Sequence, residues 1–296
     1  MNAQRPEVVV VGNAGMDLNV YLHTGRLDLE REAHFTRNVE NVGQAGGYAS
    51  RSYAALGRKT AYFGAFGRDS AGQLVKDVLQ AAGVDLSAVF EDPEGTARSV
   101  NLVYPDGRRN CFYDGRSHVT LEAPLDKFDE IVQGARLAHF NLANWSRKLL
   151  APAAQHGLLI ATDLQDLASL EDPYRRDFIE GSKILFCSSV NLPDVYAAAM
   201  ALRGESGRLV IIGMGERGCA MAGPEGFEHF ASHSGSGPVV DTNGAGDALA
   251  ATFLTYHVLE GRPRQEALAL ALRAARFACE QRAPKALISK VQLESQ

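Results

Sequence analysis

The chain has 296 residues, is 46% hydrophobic and 22% charged, and carries a formal net charge of -5, which suits one large core-forming domain and excludes the basic stripe of a nucleic-acid binder. No run approaches the roughly 18 apolar residues of a membrane span, and the stretch Met1 to Glu7 lacks the apolar core of a signal peptide. The cysteines (Cys111, Cys187, Cys219, Cys279) are scattered without a Cys-x-x-Cys pair, which suits free thiols in a reducing cytoplasm better than disulfides or a zinc site.

Val8-Val9-Val10-Val11, ended by Gly12, reads as a fully buried strand. Asn13 to Asp17 form the loop at its C-terminal end, the edge where open α/β sheets bind ligands. Asp17 is either a turn cap or a binding acid; a carboxylate can accept two hydroxyl hydrogen bonds at once. Residues 18–42 are mixed and polar, with alternations such as Leu18-Asn19-Val20-Tyr21-Leu22 that suit edge strands of a small second sheet. Gly43 opens a helix that runs to Leu56 and stops at Gly57. Strand Thr60–Phe63 leads through a glycine-rich turn to a helix that Asp69 caps and Gly83 ends. Residues 96–116 form a hairpin around Pro105-Asp106-Gly107. With the strands from 18–42, this hairpin is either surface decoration or a small lid sheet inserted into a single domain spanning residues 1–296. A lid over a reactive site would exclude water.

From Pro124 onward strands and helices alternate. The strands are Leu137–Phe140, Leu158–Asp163, Ile184–Ser188 and Leu209–Gly213. The helices lie near Leu125–Val132, Arg147–Gln155, Asp172–Ile179 and Pro193–Leu202. This pattern implies a mostly parallel sheet covered on both faces. Asn191-Leu192-Pro193-Asp194 is, taken alone, a helix start with an acid in its first turn. Gly213-Met214-Gly215-Glu216-Arg217-Gly218 matches a dinucleotide fingerprint in letters, yet it leads into the strand-like Cys219–Gly223 rather than the required helix. Gly57-Arg58-Lys59-Thr60 lacks the spacing of a phosphate-binding P-loop. His229 and His233 have the i, i+4 spacing of a metal pair but lie in a strand-like segment, as surface or nucleotide-rim histidines. Trp145 reads as a packing residue.

Near the C-terminal end, a short strand Pro238-Val239-Val240 enters Asp241-Thr242-Asn243-Gly244-Ala245-Gly246-Asp247. A helix from about Ala248 to Leu259 leaves it, and a second runs from Pro263 to about Gln281. Gly244, Ala245 and Gly246 bring the backbone close to any bound group, and the N–H groups of the helix start favour an anion. Asp247 is either the cap of that helix or a proton acceptor beside the anion hole.

The string Asp-Thr-x-Gly-Ala-Gly-Asp, set between a strand and a helix, resembles the signature of the ribokinase (PfkB) family of carbohydrate kinases. Asp17, the glycine-led helix at Gly43, Gly64-x-x-Gly67-x-Asp69-x-x-Gly72 and Asn191-x-x-Asp194 stand in family order before it. The resemblance implies an α/β ribokinase-like fold: a central, mostly parallel sheet flanked by helices, with a small β lid. It implies an ATP-dependent transfer of a phosphoryl group to a hydroxyl of a sugar or sugar-like molecule, with Mg²⁺. Asp247 would be the general base, with Gly244, Ala245 and Gly246 as the anion hole. Asp17, Gly43 and Tyr48 would hold the substrate. Asn191, Asp194, Gly213, Gly215 and Gly218 would hold the nucleotide, Asp194 acting on Mg²⁺ through water. Asp241 and Asn243 would be ligands of a monovalent cation such as K⁺. Residues 282–287 would close the adenine side, and a homodimer would form through the lid.

Four positions depart from the family pattern. Counted back from Leu56-Gly57, Gly43 matches the first glycine of the family's Gly-Gly-x-x-x-Asn, Gln44 replaces the second and Tyr48 replaces the asparagine. A shifted register places Gly46-Gly47 on the glycines and Arg51 on the asparagine. Either way the sugar-reading asparagine is absent. Asp194 stands for glutamate, and Gly213 for threonine. Two rivals follow. One is a nucleoside kinase stacking a base on Tyr48, Tyr104, Phe112 or Tyr113. The other is a sugar-sensing protein without turnover.

Overall fold

A computed structural model describes residues 5–283 and 285–295. The strands are β1 (Val8–Val11), β2 (Gly15–Leu22), β3 (Thr36–Gly43), β4 (Thr60–Phe63), β5 (Ala65–Phe66), β6 (Phe90–Glu91), β7 (Arg98–Val103), β8 (Arg109–Asp114), β9 (Leu137–Phe140), β10 (Leu159–Asp163), β11 (Ile184–Ser188), β12 (Leu209–Gly213), β13 (Cys219–Gly223) and β14 (Gly226–Phe230). The helices are α1 (Gln44–Ala55), α2 (Ser70–Ala81), α3 (Leu125–Ile131), α4 (Leu150–Gln155), α5 (Arg176–Gly181), α6 (Val195–Arg203), α7 (Ala245–Phe253), α8 (Arg264–Cys279) and α9 (Lys290–Glu294).

The main sheet runs β14-β13-β12-β11-β10-β9-β1-β4, parallel from β12 to β4, with β13 and β14 added antiparallel. Its central strands are mostly apolar because both faces are covered, although β9 carries His139 and β10 ends on Thr162 and Asp163. In β1, Val8 and Val10 join one core and Val9 and Val11 the other, the alternation of a pleated strand. α1, α2, α7 and α8 supply the first core, α3 to α6 the second. Each fully buried valine contributes about 1.5–3 kcal/mol relative to leaving it exposed.

The small sheet runs β3-β2-β7-β8. β2 is antiparallel to β3 and parallel to β7, while β7 and β8 form the hairpin. Asp17 therefore lies on β2 rather than in a loop, and residues 18–22 form an interior strand rather than an edge. Asp17, Asn19 and Tyr21 share one face with Ser99, Asn101 and Val103 of β7 and with Tyr113, Cys111 and Arg109 of β8. This face turns towards the main sheet: Asn19 accepts from Asn243 Nδ2 at 3.0 Å and Tyr21 donates to Asp241 at 2.8 Å. Thr242 Oγ1 donates to the carbonyl of Gly107 in the β7–β8 turn at 2.9 Å.

Four expected elements differ. Pro238–Val240 forms no strand; Val240 N and Asp241 N donate instead to the Cys279 carbonyl at the end of α8, whose last carbonyls lack intrahelical partners. α7 starts at Ala245, so Asp247 lies inside its first turn, and the helix continues through a π-helical stretch, Leu254–Leu259. The helix expected near Arg147 begins as a 3₁₀ turn, Asn144–Leu149. It becomes α4 where Pro152 sits in the first turn, a place that needs no N–H. The helix expected from Asp172 starts at Arg176, because Asp172 spends its carboxylate on Tyr174 N and Arg175.

Candidate active site

The site lies between the C-terminal edge of the main sheet and the inner face of the small sheet. At its centre Gly244 takes the left-handed conformation, φ 73°, before α7. A side chain there would be strained, and its Cβ would stand 2.9 Å from a ring carbon of Tyr48. Gly246 is exposed beside it. The first N–H groups of α7 have no acceptor within the helix and aim along its dipole into the cleft. Asp247, half-buried in that first turn, has its carboxyl pushed well above the usual carboxylate range. Burial is the main cause, and the charge of Asp163 adds to it, while Arg109 opposes both.

Asp163 ends β10 and is buried; its Oδ1 accepts from Gln165 N at 2.8 Å. An oxygen of Asp163 lies 3.8 Å from where a Cβ on Gly246 would be. Burial lifts its pKa to about 6. The sequence reading passed over this acid, although an acid at the C-terminal end of a buried parallel strand is itself a signal.

Asp17 stands at the other side of the cleft and is 3% exposed. It accepts from Gln44 N at 3.3 Å, and Ser99 supplies a side-chain hydrogen bond. Burial raises it to about 6, partly offset by the Gln44 N–H and by the Arg109 cation. Gly43 is required at its position because a Cβ would stand 1.9 Å from the Asp17 carboxylate. Gln44 occupies φ 59°, an uncommon conformation for a residue with a side chain, and among the described residues its buried amide finds no partner.

Tyr48 is 4% exposed. Gly244 covers its ring, Arg51 stands 5.4 Å from its centroid, and its hydroxyl accepts from Asn41 Nδ2 at 3.2 Å. The face expected to stack a ligand is thus largely taken by protein. Phe112 points to the outer face of the small sheet and is exposed, away from the row that holds Asp17. Tyr104 stacks with Arg108 at 5.4 Å, at the hairpin turn. Tyr113 does share the Asp17 face, and its hydroxyl accepts from Asn13.

The residues expected at the nucleotide follow β11 and β12. Asn191 is exposed and reaches the Asp166 carbonyl at 3.4 Å. Asp194 caps α6, accepting from Ala197 N at 3.0 Å. Gly213 ends β12, and nothing crowds Gly215. Gly218 is structural, since a Cβ there would meet the Phe230 carbonyl at 2.0 Å. His229 bonds the Arg217 carbonyl, and no cluster of three His, Cys, Asp or Glu suited to a metal occurs among the described residues. Trp145 packs between Phe63 and Phe90, as expected.

Asp241 and Asn243 are already engaged. Asp241 is fully buried and accepts from Tyr21 and from Asn243 N at 2.8 Å each. The Lys285 ammonium stands 3.7 Å from its Oδ1. Asn243 donates to Asn19, which also accepts from Asn101 and donates to Asn41. This buried asparagine ladder ties the signature to the small sheet. A monovalent metal ion does not fit beside Asp241 while the ammonium is there.

Over 290 residues the chain is 29% identical to an acarbose 7(IV)-phosphotransferase from an Actinoplanes species, covering 94% of this chain and 93% of that one. The solved structure of the microbiome-derived acarbose kinase Mak1 superposes with a TM-score of 0.88 at 28% identity, covering 99% of each chain. A ribokinase from Arabidopsis thaliana, solved with ribose and ATP, superposes with a TM-score of 0.80 at 22% identity over 99% of this chain and 98% of that one, which shows the shared ribokinase-like fold. Residues 5–290 match the family model of the pfkB family carbohydrate kinases, so the chain belongs to that family: it is an ATP-dependent phosphotransferase that takes an alcohol group of a sugar as acceptor.

Proposed function

We propose that this kinase phosphorylates a hydroxyl of a bulky sugar, such as an oligosaccharide or a pseudo-oligosaccharide of the acarbose type, with Asp247 as general base. The observation that carries the chemistry is the place of the Asp247 carboxyl, in the first turn of α7 directly after the left-handed Gly244, where burial raises its pKa. Asp247 takes the proton of the acceptor hydroxyl, and the oxygen bonds to the γ-phosphorus. The bond from that phosphorus to the bridging oxygen breaks, leaving its electron pair on ADP. Charge on the transferring oxygens meets the α7 N-terminus and the Arg109 cation. Asp17 holds the sugar.

Mg²⁺ suits the acids at this edge, since Asp163 and Asp247 repel each other without a cation. Asp163, with Asp194 acting through water, would hold it, and it would screen the ATP phosphates.

Acceptor size follows from the inner face of β8. Its residues Arg109, Cys111 and Tyr113 face Asp17's row and are exposed, which leaves that side of the cleft open to a large acceptor. The missing family asparagine and the similarity to two proteins named for acarbose point the same way. The free thiols suit the cytoplasm, and the exposed outer residues Val100 and Phe112 suit a homodimer through the lid.

The test is a panel of acarbose, maltotriose, fructose, ribose and adenosine, each with ATP and Mg²⁺, scored by ADP release and by product mass. Acarbose or maltotriose is expected to give the highest kcat/KM. Faster turnover of adenosine would favour the nucleoside kinase, faster ribose or fructose a small-sugar kinase, and no turnover on any acceptor a sensor.

A further inference from the structure

Lys285 is 5% exposed, in the loop that follows α8. Its ammonium donates to the Asp241 carbonyl at 2.6 Å and to the Ala278 carbonyl at 2.9 Å, and stands 3.7 Å from Asp241 Oδ1. The Ala278 carbonyl belongs to the last turn of α8, where the helix dipole favours a cation. Asp241 itself is fully buried, and without a cation its carboxylate would be held, among the described residues, by Tyr21 and the Asn243 N–H. Ala283 N donates to the same Tyr21 hydroxyl at 2.7 Å, so the loop carrying Lys285 is pinned to the acid it serves. Burial lowers the Lys285 pKa, and the Asp241 charge opposes that.

These contacts form one cluster: three oxygens, two carbonyl and one carboxylate, around one positive centre. The monovalent cation that the family resemblance implies was expected beside the same Asp241, where this ammonium now stands. An ammonium group and K⁺ are close in size, and both favour oxygen ligands. The backbone so held, Asp241 to Gly244, leads directly into the turn that sets the α7 N-terminus.

We propose that Lys285 is a built-in cation that replaces K⁺ beside Asp241, positions the signature turn, and makes this kinase independent of monovalent metal ions. Lys285 touches no reacting atom, so it is a positioning residue. The inference rests on the signature being the phosphoryl site and not on the choice of acceptor.

Two arms test it with the full chain. In the first, the unliganded protein is melted in KCl and in tetramethylammonium chloride at equal ionic strength. Wild type is expected to melt at the same temperature in both. Lys285→Ala opens a hole lined by the three oxygens, so K⁺ should raise its Tm by roughly 3 °C or more, as a ligand of the native state does. Tetramethylammonium, too large to enter, should not. In the second arm, ADP release is followed with whichever acceptor the panel selects. Wild type should turn over equally in both salts. Lys285→Ala should lose roughly tenfold or more without K⁺, as a displaced signature would, and recover with K⁺ or ammonium.

A wild type whose Tm or rate rises with K⁺ would overturn the proposal. So would a Lys285→Ala protein that melts and turns over like wild type without K⁺, or one that K⁺ neither stabilises nor rescues. If Lys285→Ala does not fold, Lys285→Met takes its place, and the wild-type salt comparison decides by itself. Should the acceptor panel fail, the melting arm still stands apart from it.

Discussion

Asp17→Asn should make the protein more stable at neutral pH while crippling sugar binding. The Asp17 carboxyl is raised from an ordinary 3.8 to about 6, chiefly by burial. An acid raised on folding binds its proton more tightly in the native state, so its contribution to stability is fullest below about pH 3.8 and is lost as pH rises through about 6. At about pH 7.5 the ionised group costs the fold about 3 kcal/mol, since each pH unit between the two values is worth about 1.4 kcal/mol. Asparagine keeps the shape against Gly43 and the oxygen that accepts from Gln44 N. Unfolding a chain of 296 residues carries an entropy near 0.6 kcal/mol/K, so Tm should rise by about 5 °C. The assay is thermal unfolding of both proteins from pH 3.5 to 8, with KM for sugar and for ATP measured beside it. The gain should shrink on acidification and vanish near pH 3.5, and only the sugar KM should rise steeply. A variant less stable than wild type at pH 7.5, or a gain of equal size at every pH, would refute the reasoning.

Gly244→Ala forces a side chain into the left-handed region and onto the Tyr48 ring; a loss of about 1–3 kcal/mol in denaturant unfolding is expected, with kcat falling as the turn shifts. Burial is the main cause of the raised Asp247 carboxyl, and Asp163→Asn removes the charge that adds to it, so the acid limb of the kcat/KM profile should move to lower pH, and an unmoved limb would separate the two acids. Asp194→Ala removes the α6 cap and should cost about 1 kcal/mol; if Asp194 also serves Mg²⁺, the half-saturating Mg²⁺ concentration rises, whereas an unchanged titration leaves only the cap.

Local chemistry was legible. Four valines ended by glycine made β1, Asp69 capped α2 as its spacing implied, and Pro105-Asp106-Gly107 turned the hairpin. The signature was legible because glycine at a helix start has few purposes. What failed depends on distant partners. Asp17 seemed to lie in a loop because nothing near it shows that β3 and β7 flank it. Pro238–Val240 has a strand's composition but no strand beside it. Tyr48 offered a ring, and only the fold shows Gly244 lying on it. Lys285 and the asparagine ladder were invisible for the same reason: their partners lie 44 residues away for Lys285 and Asp241, and 224 for Asn243 and Asn19.

The most direct test of the catalytic reading is the single-turnover rate of Asp247→Asn with a saturating acceptor, beside its ATP affinity. Loss of a general base should lower the rate ~100- to 10,000-fold, with folding and ATP binding intact, because the N–H groups of α7 remain. Turnover like wild type would remove Asp247 from the chemistry and return it to the first turn of a helix.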